Sequence, residues 1–275
     1  MPHADGTDRA RLRIVAAAAT MMLLRATPAS AADTTQRLAW HLAPSARYAA
    51  DVHLTHIITN DLAGFYKKIV GSKADPVTIL EDRSIRVASG ANSSIDVAIS
   101  DARRYGGDHP KDASVVTRTS QYAGTLAQDG KRNPSDEPLV DAGDGALSQL
   151  PDDPIQPGAS WTFSRMILVD RDLGHGQMTY TDTLERIDVR GGHRIAVISV
   201  KGAGRVDVAP DLQAKGFQTT DMTLAGTGEF DLTSGTAAAQ HYTAHAEWRT
   251  RVLWIHLGLI FDDTYDAQPW SIAVK

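Results

Sequence analysis

The chain has 275 residues, 42% of them hydrophobic, with 28 basic against 33 acidic residues for a net charge of −5. That length can bury the core of one large domain or two smaller ones. A mildly acidic balance without a basic cluster argues against nucleic acid as a partner, and with no cysteine the fold has no disulfide to brace it.

The first residues set the compartment. Arg9, Arg11 and Arg13 precede an uncharged run, Ile14–Leu24, and Ala29-Ser30-Ala31 follows it. A positive segment, an apolar segment and a small-residue cleavage site in that order describe a signal peptide. Residues 1–31 are therefore expected to be removed, taking the net charge to −7 by the loss of four basic and two acidic residues. A membrane anchor would need about 20 apolar residues, so no stable membrane span is expected. The lone arginines favour the general secretory route over the twin-arginine one. A lipid-modified N-terminus needs a cysteine, which the chain lacks. The expected product is an exported protein, periplasmic or extracellular, of a bacterium.

Beyond residue 31 the dominant pattern is alternation of apolar and polar residues, the signature of half-buried strands. Leu38, Trp40 and Leu42 alternate, as do Val52, Leu54 and Ile58, Ile85 and Val87, and Ile95, Val97 and Ile99. Asn60–Val70 has the cap and spacing of a short helix, and Gly143–Leu150 of one more turn. Asp129-Gly130 marks a hairpin. Residues 129–158 hold five prolines and read as a linker or long surface loop. The chain from 32 to 275 is taken as one β-rich domain, with a division into two lobes near 129–158 as the alternative.

Further strands begin at Trp161 and Phe163, at Met178, Tyr180 and Leu184 with Asp182 among them, and at Ile195 and Val197 after the Gly191-Gly192 turn. Gly226–Gly235 reads as strand then turn, with Asp231 accepting hydrogen bonds and Gly235 left-handed. Tyr242, Ala244, Ala246 and Trp248 face one way along the next strand. Val252–Phe261 is nearly all apolar. It reads as a strand buried on both faces or one lining an apolar ligand cavity, with Leu253, Trp254, Ile255 and Leu257 as the candidates to face a ligand.

No motif names a reaction. There is no nucleophile elbow and no phosphate-cradling glycine loop, and no cofactor is expected. His241 and His245 are the nearest candidates for a metal pair, but four residues of strand span about 13 Å, so no metal site is expected. Asp152-Asp153 and Asp262-Asp263 are adjacent in sequence, and neighbours on a strand face opposite ways. Asp141–Gly145 lacks the full spacing of a calcium loop.

Leu150-Pro151-Asp-Asp-Pro154-Ile-Gln-Pro157-Gly158-Ala-Ser-Trp161 resembles a phrase of uncharacterised bacterial exported and lipoprotein-like β-rich families, and Phe230–Gly235 is similar to a turn in them. The resemblance covers roughly residues 147–250 and implies a β-rich C-terminal region, with no activity attached. By fold analogy the expectation is a curved antiparallel sheet or half-barrel, lipoprotein-carrier-like, with one or two short helices. The functional expectation is an exported protein that binds a hydrophobic small molecule or an envelope component. The alternatives are a secreted hydrolase with a histidine–acid site assembled in space, and an adhesive module with an unprotected sheet edge.

Overall fold

Alternation along the chain becomes one large antiparallel sheet with a buried face and a wet face. A computed structural model describes residues 35–60, 77–106, 115–133, 149–169, 174–214, 216–252 and 255–272. The expected leader, the expected helix after Asn60, the loop at 141–145 and all but the last two residues of the expected turn at 143–150 lie outside them. Residues 34–275 form one compact unit.

The strands are β1 (Arg47–Asn60), β2 (Val77–Ser89), β3 (Ser94–Gly106), β4 (Val115–Leu126), β5 (Arg132–Asn133), β6 (Ser160–Val169), β7 (Gly174–Arg190), β8 (His193–Val208), β9 (Thr220–Asp231), β10 (Thr236–Val252), β11 (Ile255–Ala267) and β12 (Ser271–Ile272). Among the described residues one short α-helix, α1 (Pro210–Ala214), joins β8 to β9, and a 3-10 turn, Ala91–Ser93, joins β2 to β3. The order across the sheet is β5-β4-β3-β2-β1-β11-β10-β9-β8-β7-β6, with β12 paired to the start of β1. Two meanders thus meet in the middle, where β1 lies beside β11 from Val52↔Ala267 to Asn60↔Leu259. The sheet is not closed into a barrel. No ladder among the described strands joins β4 or β5 to β6.

With no long helix among the described residues to cover it, the apolar sheet face is closed over by the sheet's own curl and its connecting segments. The segment before β1 shows this. Trp40 N–H donates to Gln128 O in the β4–β5 turn, and the next residue, His41, donates to Gly235 O in the β9–β10 turn. Those strands are six places apart, roughly 29 Å in a flat sheet, so the sheet curls until both turns meet one dipeptide. Leu38 and Trp40 are buried there, with Trp40 against Phe230 at 5.2 Å and Trp270 at 5.5 Å between ring centroids. Gly235 sits at φ +69°, and a β-carbon on it would lie 2.5 Å from His41 Cβ. Residues 38–42, expected as a strand, are this irregular strap, and just before them Gln36 forms an isolated antiparallel bridge with Ile155.

The inner face is one continuous cluster. It runs from Val52, Leu54, Ile85 and Ile99 through Tyr265, Tyr242 and Trp248 to Met178, Tyr180 and Phe163. Tyr242, Ala244, Ala246 and Trp248 all face inward, as the alternation on β10 requires. The apolar run Val252–Phe261 is not one strand. Its residues belong to two antiparallel strands, β10 and β11, with Val252 paired to Ile255, and Leu253 and Trp254 lie outside the described residues. No glycine, asparagine or proline marks the boundary between the two strands. Its far end is packed, since Phe261 is buried beside Trp248 at 6.5 Å.

Candidate functional site

The outer face carries a regular array of histidine–aspartate pairs. His53 Nδ1 on β1 lies 2.8 Å from Asp82 Oδ1 on β2, His241 Nδ1 on β10 lies 2.5 Å from Asp266 Oδ1 on β11, and His245 Nδ1 lies 2.7 Å from Asp262 Oδ1. Each pair consists of direct cross-strand neighbours. His53 is also opposite Asp266, so Asp82, His53, Asp266 and His241 form one alternating row across four strands. A carboxylate only accepts, so each imidazole donates from Nδ1 and turns Nε2 outward. A fourth pair, His193 with Asp231 at 2.7 Å, sits at the ends of β8 and β9.

The array does not assemble a metal centre or a triad. His241 and His245 share the outer face of β10 but serve different aspartates, so they do not converge on one ion. Among the described residues no group of three or more histidine or acidic side chains is placed to hold a metal. Hydrolysis by the triad logic needs a histidine bonded to an acid on one side and a hydroxyl on the other. The nearest arrangement is Asp262, His245 and Thr223, aligned across β11, β10 and β9, but among the described residues Thr223 makes no bond to the ring. Asp262 and Asp263 face opposite ways, one exposed and one buried. Asp152 pairs with Lys131 at the surface.

Inside, buried polar side chains interrupt the apolar cluster, Gln240 and Asp263 among them. Glu81 and Arg83, two apart on β2 and so on the same face, form a fully buried ion pair at 2.7 Å. Asp182 on β7 is 2% exposed, and its Oδ1 has no hydrogen-bond partner. Burial pushes its carboxyl up to about 7, against the opposing pull of Arg165. The Arg165 guanidinium lies 4.9 Å from the Tyr180 ring centre and 5.9 Å from that of Phe163, and those two rings stack at 4.9 Å.

The feature best shaped for a ligand is a groove of about 730 Å³ on the outer face of β1–β4. Sequence reasoning did not find it. Its floor is small side chains where polar ones are usual, Ala88, Ala98 and Ala123, and its rim is Arg47, Arg86, Asp96 and Gln121. The register gives two rows, Arg47–Ala88–Asp96–Ala123 and Arg86–Ala98–Gln121. Arg47 and Arg86 are thus diagonal neighbours, about 7–8 Å apart at the backbone. Among the described residues neither makes a hydrogen bond or ion pair. Alanines recurring at outward positions between arginines are the signal in the sequence. Of the residues expected to face a ligand, Leu253 and Trp254 lie outside the described residues, and Ile255 and Leu257 are placed on β11 by backbone only.

No family model matches the chain, and no curated protein matches it. Among solved structures the chain is similar to an outer membrane channel from Pseudomonas putida F1, at 10% identity and a TM-score of 0.24, over 86% of this chain and 98% of the channel's.

Proposed function

We propose that the chain is an exported, non-catalytic binding protein whose groove on β1–β4 takes an amphiphile, an apolar body with an acidic head. The observation that carries this is the pair of guanidiniums, Arg47 and Arg86, without a hydrogen-bond or ion-pair partner among the described residues and beside an alanine floor. Two arginines within reach of one another bind a carboxylate or phosphate by charge-assisted bonds, and the floor offers an apolar surface free of bulky side chains. The leader-like residues 1–31 support export, and the compact unit begins just past them, at Thr34. A water-facing role is supported by the outward array of His53, Asp82, His241, His245, Asp262 and Asp266, where a membrane barrel would carry an apolar band.

The test is titration of the chain from residue 32 onward with a fluorescent long-chain fatty acid and with the matching alcohol. Saturable binding of the acid is expected, weaker for the alcohol. In Arg47→Gln/Arg86→Gln the acid should bind at least tenfold more weakly, because charge-assisted bonds contribute roughly 1.5–3 kcal/mol each. No saturable binding, or equal binding of acid and alcohol that the double variant leaves unchanged, overturns the reading.

A further inference from the structure

Edge strands in stable proteins carry lysine, proline or a bulge that prevents pairing with another chain. β6 has none of these. Its sequence, SWTFSRMILV, has no proline, lysine or acid, and it pairs with β7 over all ten residues without a register shift. Its one charge, Arg165, is turned inward over Tyr180 and Phe163. On the outward side, Met166 is 38% exposed. Trp161 Nε1 donates to Gln149 O, which covers the start of the strand. Among the described residues no backbone hydrogen bond reaches the other edge of Thr162–Val169. The opposite edge, β4, is partly covered by β5 at Thr125 and Leu126.

We propose that β6 is the contact of a twofold dimer in which it pairs antiparallel with β6 of a second copy. A twofold axis normal to the sheet keeps the inner faces on one side, so odd-numbered residues oppose odd-numbered ones. Centring the axis on Arg165 would set two guanidiniums opposite each other, and like charges directly opposed are destabilising. Centring it on Ser164 avoids that. Arg165 then meets Phe163 of the copy and Met166 meets Thr162, so the pairing stays within the open part of the edge. Guanidinium on aromatic ring is the contact Arg165 already makes within its own chain. The interface is isologous and closed, so it ends at two copies.

Light scattering after size exclusion is expected to give a dimer for the chain from residue 32 onward. Thr162→Lys/Met166→Lys places like charges opposite each other and should give a monomer with an unchanged circular-dichroism spectrum. Thr162→Lys/Met166→Glu places opposite charges there and should restore the dimer. Because the chain has no cysteine, Ser164→Cys should cross-link to itself under air, while Thr181→Cys on the outer face of β7 should not. A monomeric parent chain at 100 µM (a concentration on the scale of weak specific pairing), or a dimer that survives Thr162→Lys/Met166→Lys, overturns the proposal. A dimer that fails to cross-link through Ser164→Cys overturns the register.

Discussion

Asp182 is the residue with the sharpest consequence for stability. Its folded carboxyl titrates near 7 because burial disfavours the anion, and Arg165 only partly offsets that. In the unfolded chain it titrates at the ordinary aspartate value of 3.8. Between those values the folded state holds a proton that the unfolded state has released, so stability is full below about pH 4 and falls as pH rises through 7. The loss above pH 7 is on the order of 4 kcal/mol. Asp182→Asn should match the parent at pH 4, exceed it by a few kcal/mol at pH 8, and flatten the slope between, as read by urea denaturation across pH. A slope that persists in the variant would place the titration elsewhere. The Glu81–Arg83 pair behaves in the opposite sense. Both groups are fully buried and lie in direct contact, so Glu81→Gln removes one charge of a buried ion pair and should cost about 3–5 kcal/mol at neutral pH. A change within 0.5 kcal/mol in urea denaturation would show that the pair is not buried in solution.

At the scale of elements, the strap from residue 35 to 46 decides how tightly the sheet curls. Trp40 fills the space between Phe230 and Trp270, and Trp40→Ala should lose about 3–5 kcal/mol in thermal or urea unfolding. Gly235→Ala meets both a left-handed backbone and His41, so it should destabilise as well, and pairing it with His41→Gly should recover the part due to the clash. This region also shows what a sequence can and cannot disclose. The strands of β1, β2, β3, β6, β9 and β10 were legible because one face of each is dry and the other wet. The hairpin at Gly191-Gly192 was legible because both residues need positive φ, which they have at 58° and 86°. Asp231 does accept from the turn, from Thr233 N–H. Leu38, Trp40 and Leu42 misled because a strap pressed between two turns buries alternate residues just as a strand does. The boundary between β10 and β11 gave no signal because Val252 and Ile255 are both apolar and β-branched, and their pairing is set by the ladder between the two strands. The histidine–aspartate rows and the arginine groove depend on register between strands distant in sequence, so no spacing along the chain could show them.

At the scale of the whole molecule, the order of strands makes the two meanders depend on each other. β1 and β11, which lie near opposite ends of the described chain, form the central ladder, and one buried cluster draws its side chains from both meanders. Residues 35–133 contribute Tyr48, Val52, Leu54, Ile85, Val97 and Tyr122 to the buried cluster, and residues 149–272 contribute Met178, Tyr180, Trp248, Phe261 and Tyr265. Neither half can remove those side chains from water alone, and each would present an additional open edge, β1 or β11, to association. Chains cut between 133 and 149 and expressed separately should therefore lack a cooperative urea transition and fixed aromatic circular dichroism. Mixed from denaturant, they should regain both, slowly, because the β1–β11 ladder must form between separate partners and long-range strand pairing is the slow step in β folds. A half that unfolds cooperatively by itself would mean that the meanders are independent bodies and that the central ladder is a docking contact, with the curl a consequence of it.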